Sequence, residues 1–262
     1  MVEFQLPPEM AQHALRFAEQ GGVPVEPRLA STVVLLREPF EAYLIRRAST
    51  MAFAASMYAF PGGSVDPRDA AFQPGWAGPS PARWAARLRL DEPVARSVVC
   101  AAVREVFEES GVLLAGPDAS TVVGDVSGPD WEEARLALIA RELGFAEFLG
   151  GRGLVLRSDL LVPWSRWITP EFEPRRFDTY FFLALLPRGQ VPRDVSGEAD
   201  DTVWCPPAEA ADGRYAMMTP TLSTLRDLAK AGGIDGVLAA APTRDPADAI
   251  RPIAGQPKRP VM

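Results

Sequence analysis

Residues 104–112 have the sequence REVFEESGV, and the predicted fold and chemistry of the chain depend on this stretch. On a helix, Glu105, Glu108 and Glu109 occupy positions i, i+3 and i+4, so their carboxylates share one face with Cβ atoms about 5–6 Å apart. A hard divalent cation relieves the repulsion among them, because Mg²⁺ prefers carboxylate and phosphate oxygens. The alternative is a solvated acidic face on which Arg104 and Glu108 form an ordinary i,i+4 pair.

The helix that carries this stretch has clear ends. Asp91 and Pro93 predict its start, since Asp caps helices and Pro fits the first turn. Gly111 predicts its end, and apolar residues recur between them at spacings of three and four. Upstream, residues 60–63 read FPGG and predict a sharp turn.

Hydrophobic patterns predict the remaining elements. Runs rich in β-branched and aromatic residues predict strands at 30–36, 43–46, 154–156, 160–162, 177–186 and 203–205. Amphipathic patterns predict helices at 9–20, near 82–90, at 130–148, at 208–211 and at 219–232. The mixture indicates an α/β protein with strands in both directions rather than a regular βαβ series.

The amino-acid composition limits the kinds of catalytic site that the chain can form. The chain has 262 residues, with 27 Lys and Arg against 34 Asp and Glu and a formal net charge of −7, which argues against general nucleic-acid binding. Two cysteines, Cys100 and Cys205, are too few for a disulfide framework or a thiolate metal site. With His13 as the single histidine, Ser-His-Asp triads and zinc–histidine centres are excluded. These counts favour catalysis by carboxylates and a metal ion.

The sequence also indicates where the protein resides. No apolar run reaches the roughly 18 residues of a membrane span, and the first residues lack the pattern of a signal peptide. We therefore expect a cytoplasmic protein without membrane partners, with a homodimer as one option for its assembly.

Residues 104–112 resemble the second half of the Nudix box, R-E-U-x-E-E-x-G-U, where U is a bulky aliphatic residue, and residues 60–63 resemble the loop that opens it. The chain is thus identified as similar to the Nudix hydrolases over about residues 29–211. The resemblance implies an α/β/α sandwich with a mixed sheet. It also implies a Mg²⁺ or Mn²⁺ site formed by Gly63, Glu105, Glu108 and Glu109, with Arg104 orienting the carboxylates.

The spacing departs from the standard box. Arg104 follows Gly63 by 41 positions instead of 14, so 27 residues are inserted, about residues 66–93 with a helical segment. The glutamate expected eight positions before Arg104 is Arg96, and Asp69 stands six positions after Gly63. This layout resembles the branch that includes the peroxisomal coenzyme A diphosphatases.

Two further matches point to that branch. Residues 167–182, which include Arg175 and Arg176, are similar to its middle strand, and both arginines are candidate phosphate ligands; ordinary edge-strand charges are the alternative. Arg47 and Phe60 match a bacterial coenzyme A motif, although Ala52 and Ser56 replace its second Arg and its Gly. We take all four matching residues as substrate-binding candidates, with Phe60 as a possible stacking partner for a base.

The resemblance implies metal-dependent hydrolysis of a nucleoside diphosphate linked to another group, with coenzyme A or acyl-coenzyme A favoured. Glu198 is expected as a late catalytic carboxylate. Alternatives are hydrolysis of NADH, ADP-ribose or capped RNA, and a catalytically silent binding module. We expect a helix and linker at residues 1–27, the hydrolase domain at 28–240 and a disordered tail at 241–262.

Overall fold

The fold is built from twelve strands and eight helices in a computed structural model that describes residues 2–5, 8–49, 54–71, 75–193 and 199–253. The described strands are β1 (Val2–Gln5), β2 (Arg28–Arg37), β3 (Glu41–Arg47), β4 (Tyr58–Ala59), β5 (Gly62–Ser64), β6 (Trp76–Ala77), β7 (Ala115–Gly116), β8 (Val155–Arg157), β9 (Val162–Ile168), β10 (Phe177–Leu185), β11 (Ala199–Cys205) and β12 (Ala249–Ile253). The described helices are α1 (Pro8–Glu19), α2 (Pro81–Leu88), α3 (Glu92–Ser110), α4 (Pro129–Ile139), α5 (Phe145–Gly151), α6 (Pro207–Glu209), α7 (Thr219–Ala231) and α8 (Ile234–Ala240). A 3₁₀ turn at Pro67–Ala71 follows β5.

The main sheet is mixed, as the sequence predicts. Its strands lie in the order β1-β12-β9-β10-β2-β3-β11, with β4 on β3 and β5 on β2. Strand β10 runs parallel to β2, whereas β9 pairs with β10, and β3 with β2, in antiparallel fashion. The short β5 pairs with the first half of β2, which places the glycine turn beside the centre of the sheet.

Helices cover both faces of this sheet. Val33 and Leu35 of β2 belong to one apolar cluster, together with α2, α3, α4 and α5. Val34 and Leu36 belong to a second cluster with α7 and α8. Because alternate residues of a strand point to opposite faces, β2 is buried on both sides and reads as a continuous apolar run. The expected α/β/α layering is therefore confirmed.

Two predicted elements differ from the structure. The helix predicted at 130–148 is two helices, α4 and α5, because Arg141 adopts a left-handed conformation with φ 60° and Gly144 caps α5. The strand predicted at 160–162 is also wrong for its first residues. A 3₁₀ turn occupies Ser158–Leu160, and β9 begins only at Val162.

The prediction of a disordered tail from residue 241 is wrong for its described part. Strand β12 adds to the sheet, pairing in parallel with both β9 and β1. The apolar residues Ala247 and Ala249 are buried there, so this segment contributes to the core despite its high proline and alanine content. The last predicted tail residues, 254–262, lie outside the described residues.

No helix in the described ranges is long and apolar enough to cross a membrane.

Candidate active site

A large cleft brings the two halves of the motif together. It encloses about 960 Å³ and is lined by α3, by the β2–β5 pair, by the 3₁₀ turn at Pro67–Ala71 and by the segment between α4 and α5. Glu105, Glu108 and Glu109 all line it, together with Gly62 and Gly63. The inserted residues therefore do not separate the glycine turn from the acidic helix in space.

The glycine turn lies close to both α3 and β2. The backbone N–H of Gly62 donates to Glu109 Oε2 at 2.7 Å. A Cβ atom at Gly63 would lie 2.5 Å from Glu105 Oε2, closer than packed atoms approach. At Gly62 a Cβ would lie 2.4 Å from the Thr32 hydroxyl oxygen. Glycine at position 62 is thus a steric requirement of the pairing with β2, whereas a side chain at position 63 would displace the Glu105 carboxylate.

Arg104 joins the acidic residues from within the cluster. Its Nη1 donates to Glu105 Oε1 at 2.8 Å and to Glu108 Oε1 at 3.1 Å. Its Nη2 donates to the carbonyl oxygen of Ser64 at 3.0 Å, which ties α3 to the end of β5. The side chain is only 8% exposed, and a buried guanidinium requires such partners.

Known proteins resemble this chain in sequence and in structure. No protein-family model matches it. It is 27% identical over 205 residues to "Putative nudix hydrolase 7" of Caenorhabditis elegans, covering 77% of this chain and 60% of that protein. It is 29% identical over 212 residues to "Acyl-coenzyme A diphosphatase NUDT19" of Gallus gallus, covering 66% of this chain and 56% of that protein. The chain thus spans little more than half the length of these relatives.

A solved structure covers more of the fold. The crystal structure of a NUDIX hydrolase from Alicyclobacillus acidocaldarius superposes with a TM-score of 0.66 and 29% identity, covering 85% of this chain and 98% of that one. The chain resembles Nudix hydrolases in sequence and in fold.

The structure shows how the Nudix box tolerates its insertion. Asp69 is 3% exposed and accepts from Arg104 Nε at 3.1 Å and from Arg104 Nη2 at 3.0 Å. It also accepts from the buried Cys100 thiol at 3.5 Å. Asp69 therefore holds Arg104 in place from within the 3₁₀ turn, and most of the predicted insertion follows it. Sequence reasoning placed no role on Asp69, although its position six residues after Gly63 was the available signal.

Burial sets the protonation behaviour of the cluster. Burial raises the pKa of Glu105 to about 7, and the neighbouring Glu108 adds to this against the opposing effect of Arg104. Burial likewise raises the pKa of Glu108. Burial by itself would lower the pKa of Arg104, but Glu105, Asp69 and Glu108 outweigh it and raise that pKa. One guanidinium is shared by three carboxylates, so the cluster keeps excess negative charge when all are ionised.

The donor set suits a hard divalent cation, but the side chains, as placed, bind protein partners. Within the described ranges, no group of three or more His, Cys, Asp or Glu side chains is arranged to hold a metal ion. Arg104 lies between Glu105 and Glu108, and Glu109 is turned to the Gly62 amide.

Of the predicted substrate-binding residues, Arg47 lies at the cleft, whereas Phe60 and Arg176 are buried elsewhere. Arg47 lines the cleft. Phe60 does not fit the predicted stacking role, because it is 4% exposed and packs in the core between the sheet and α7. The predicted phosphate contact of Arg176 is also contradicted. Its Nε donates to the Thr169 carbonyl and its Nη1 to the Val25 carbonyl, so the side chain is buried and already bonded.

Two predictions stay untested by this geometry. Arg175 is exposed at the start of the β10 hairpin and is not among the residues that line the cleft. Glu198 lies outside the described residues.

Proposed function

We propose that the chain hydrolyses the pyrophosphate bond of a nucleoside diphosphate linked to another group, with Mg²⁺ or Mn²⁺, and that coenzyme A or an acyl-coenzyme A is the substrate. The observation that carries this proposal is the contact between the Gly62–Gly63 turn and the acids of α3 on the wall of the large cleft.

The chain would hold the metal through Glu105, Glu108, Glu109 and the Gly63 carbonyl oxygen. A bound divalent ion supplies neutralisation of the charge that develops on phosphate oxygens and makes water more acidic. A carboxylate, either Glu198 or a glutamate of α3, takes the proton from the attacking water. The water oxygen bonds to phosphorus, the P–O–P bridge breaks, and each product leaves with a terminal phosphate.

Three observations support coenzyme A as the substrate. Arg47, which matches the coenzyme A motif, lines the cleft. Ser56 stands where that motif has Gly and adopts φ 60°, so the backbone has the left-handed conformation that glycine favours. Two relatives, from Gallus gallus and Xenopus laevis, carry the name acyl-coenzyme A diphosphatase.

Replacement of one acid tests the proposed metal site. Glu109→Gln removes a negative ligand while keeping an oxygen for the Gly62 amide, so we expect turnover to fall by about a hundredfold or more. The matched control is Glu92→Gln on the first turn of the same helix, which has an exposed side chain and should retain activity. Near-normal turnover by Glu109→Gln would remove α3 from the reaction.

A panel of diphosphates decides the substrate. With Mn²⁺, coenzyme A should yield 4′-phosphopantetheine and 3′,5′-ADP, and EDTA should abolish the reaction. Preferential hydrolysis of NADH, ADP-ribose or capped RNA would contradict the choice of coenzyme A. Tight binding of a panel member without hydrolysis of any would instead favour the silent binding module.

A further inference from the structure

Six described helices share the same kind of C-terminal end, but two of the six lack the glycine that usually forms it. Six helices in the described ranges end at a residue with positive φ, and four of these residues are glycines: Gly21, Gly111, Gly153 and Gly232. Glycine is the usual residue there because it adopts the left-handed conformation without a Cβ penalty. The exceptions are Arg89 after α2, with φ 52°, and Arg141 after α4, with φ 60°.

The end of α4 is otherwise a regular helix stop. The Arg141 N–H donates to the Leu138 carbonyl, and the Glu142 N–H donates to the Ala137 carbonyl, both at 2.9 Å. These are the two bonds of a Schellman motif, in which glycine would be the least strained choice. An arginine held in this conformation is a local outlier, and such outliers are concentrated at functional sites.

The two arginines differ in what surrounds their side chains. Arg89 forms an ion pair with Asp245 away from the cleft. Arg141 is exposed and lines the cleft, and no described residue bonds to its guanidinium. A hydrogen bond restrains the backbone of Arg141, because Arg68 Nη1 donates to the Arg141 carbonyl at 3.2 Å. Arg68 also forms a salt bridge with Asp66.

Of the other arginines that line the cleft, Arg47 belongs to the proposed coenzyme A motif. Arg104 and Arg68 are already bonded to carboxylates. Arg28 is exposed and also lacks a described side-chain partner. Unlike Arg28, Arg141 stands at a helix end in the left-handed conformation, with its carbonyl held by Arg68.

We propose that Arg141 binds a phosphate of the substrate next to the acids of α3, through the two-pronged contact that guanidinium makes with phosphate oxygens. The inference rests on the proposed function, because it assumes that a diphosphate lies in this cleft. An arginine in this left-handed conformation costs some helix-end stability relative to glycine.

Replacement by glycine separates binding from folding. We would measure the binding of α,β-methylene-ADP, which is not hydrolysed at its bridge, by titration calorimetry with Mg²⁺. Arg141→Gly should raise the dissociation constant about ten- to hundredfold, as expected for loss of charged hydrogen bonds. Its thermal midpoint should equal or exceed that of the wild type, because glycine suits this position. Arg141→Lys should bind with intermediate affinity.

Arg89→Gly is the matched control, since it makes the same change at the same kind of helix end outside the cleft. It should bind the analogue as the wild type does. Equal dissociation constants for Arg141→Gly and wild type, or no binding by either, would overturn the assignment of Arg141. So would equal weakening by Arg89→Gly. A wild type that binds through Arg141 but hydrolyses no diphosphate would instead contradict the proposed function.

Discussion

At the scale of single residues, Asp69 is the clearest test of how the altered box works. It forms a buried two-point ion pair with Arg104, and removal of one partner from such a pair typically costs about 3–5 kcal/mol. We expect Asp69→Asn to lower the free energy of unfolding by about 3 kcal/mol in a urea titration. Asp130→Asn breaks an exposed pair with Arg152 and should cost no more than about 1 kcal/mol. Similar losses of unfolding free energy in both variants would show that the ion pair of Asp69 with Arg104 contributes no more than a surface pair.

Glu105 predicts a pH dependence of the ion-free protein. Its pKa is about 7 in the folded chain against an ordinary value of 4.5, so the folded state holds the proton more tightly than the unfolded state. The stabilisation is complete below about pH 4.5 and is lost as the pH rises through about 7. In EDTA, the wild type should lose up to about 3 kcal/mol across this window relative to Glu105→Gln.

Urea titrations at several pH values measure that difference. Glu147→Gln, at an exposed position on α5, should keep the wild-type slope. If Glu105→Gln keeps it as well, the carboxyl of Glu105 is not the titrating group.

Spacing along the sequence identifies the residues that can share one face of the acidic helix. It does not show which side chains are buried by distant parts of the chain. Glu105, Glu108 and Glu109 share a face in any helix, and Gly63 is readable from its motif. Phe60 could not be distinguished from a surface ring, because its burial depends on α7, far along the chain. The bonds of Arg176 are made to carbonyls of Thr169 and Val25, which no local pattern reveals.

At the scale of elements, α4 secures the end of the acidic helix. Arg135 of α4 is fully buried, and its Nη1 donates to the Glu108 carbonyl at 2.6 Å. Glu132 on the same helix accepts from the other side of this guanidinium, with Arg135 Nε at 3.0 Å. The contact satisfies a carbonyl that the last turn of α3 leaves without an intrahelical partner.

We expect Arg135→Met to destabilise the chain by about 2–4 kcal/mol and to increase amide exchange in the last turn of α3. Turnover should fall as well, because Glu108 and Glu109 lie in that turn. Arg96→Met, which alters a weak surface pair at the other end of α3, provides the control. Unchanged exchange at residues 107–110 in Arg135→Met would show that α4 does not hold the helix end.

The ends of a helix are predictable where the sequence carries capping or helix-breaking residues. Asp91, Pro93 and Gly111 bound α3 as expected, since α3 spans Glu92–Ser110. The break after α4 was not predictable, because Arg141 carries no signal for a left-handed conformation in the sequence. Where a non-glycine residue ends a helix, the reason lies in tertiary contacts that a linear pattern does not contain.

At the scale of the whole molecule, the C-terminal segment ties the two helical layers to the sheet. Arg244 stacks over Trp164, with 3.8 Å between its Cζ and the ring centroid, and pairs with Asp227 of α7. Arg87 of α2, which belongs to the other helical layer, donates to the carbonyls of Ala241 and Arg244. Proline and alanine content suggested disorder here, but these side-chain contacts and the pairing of β12 fix the segment.

Truncation tests this role of the segment. A chain ending at residue 240 loses β12, exposes the edge of β9 and leaves Trp164 without its cation partner, so we expect its thermal midpoint to fall by on the order of 10 °C. The reference is a chain ending at residue 253, so that the difference reports residues 241–253 alone. If the two chains melt at the same temperature, residues 241–253 add nothing to the stability of the fold, and the predicted boundary at residue 240 holds despite strand β12.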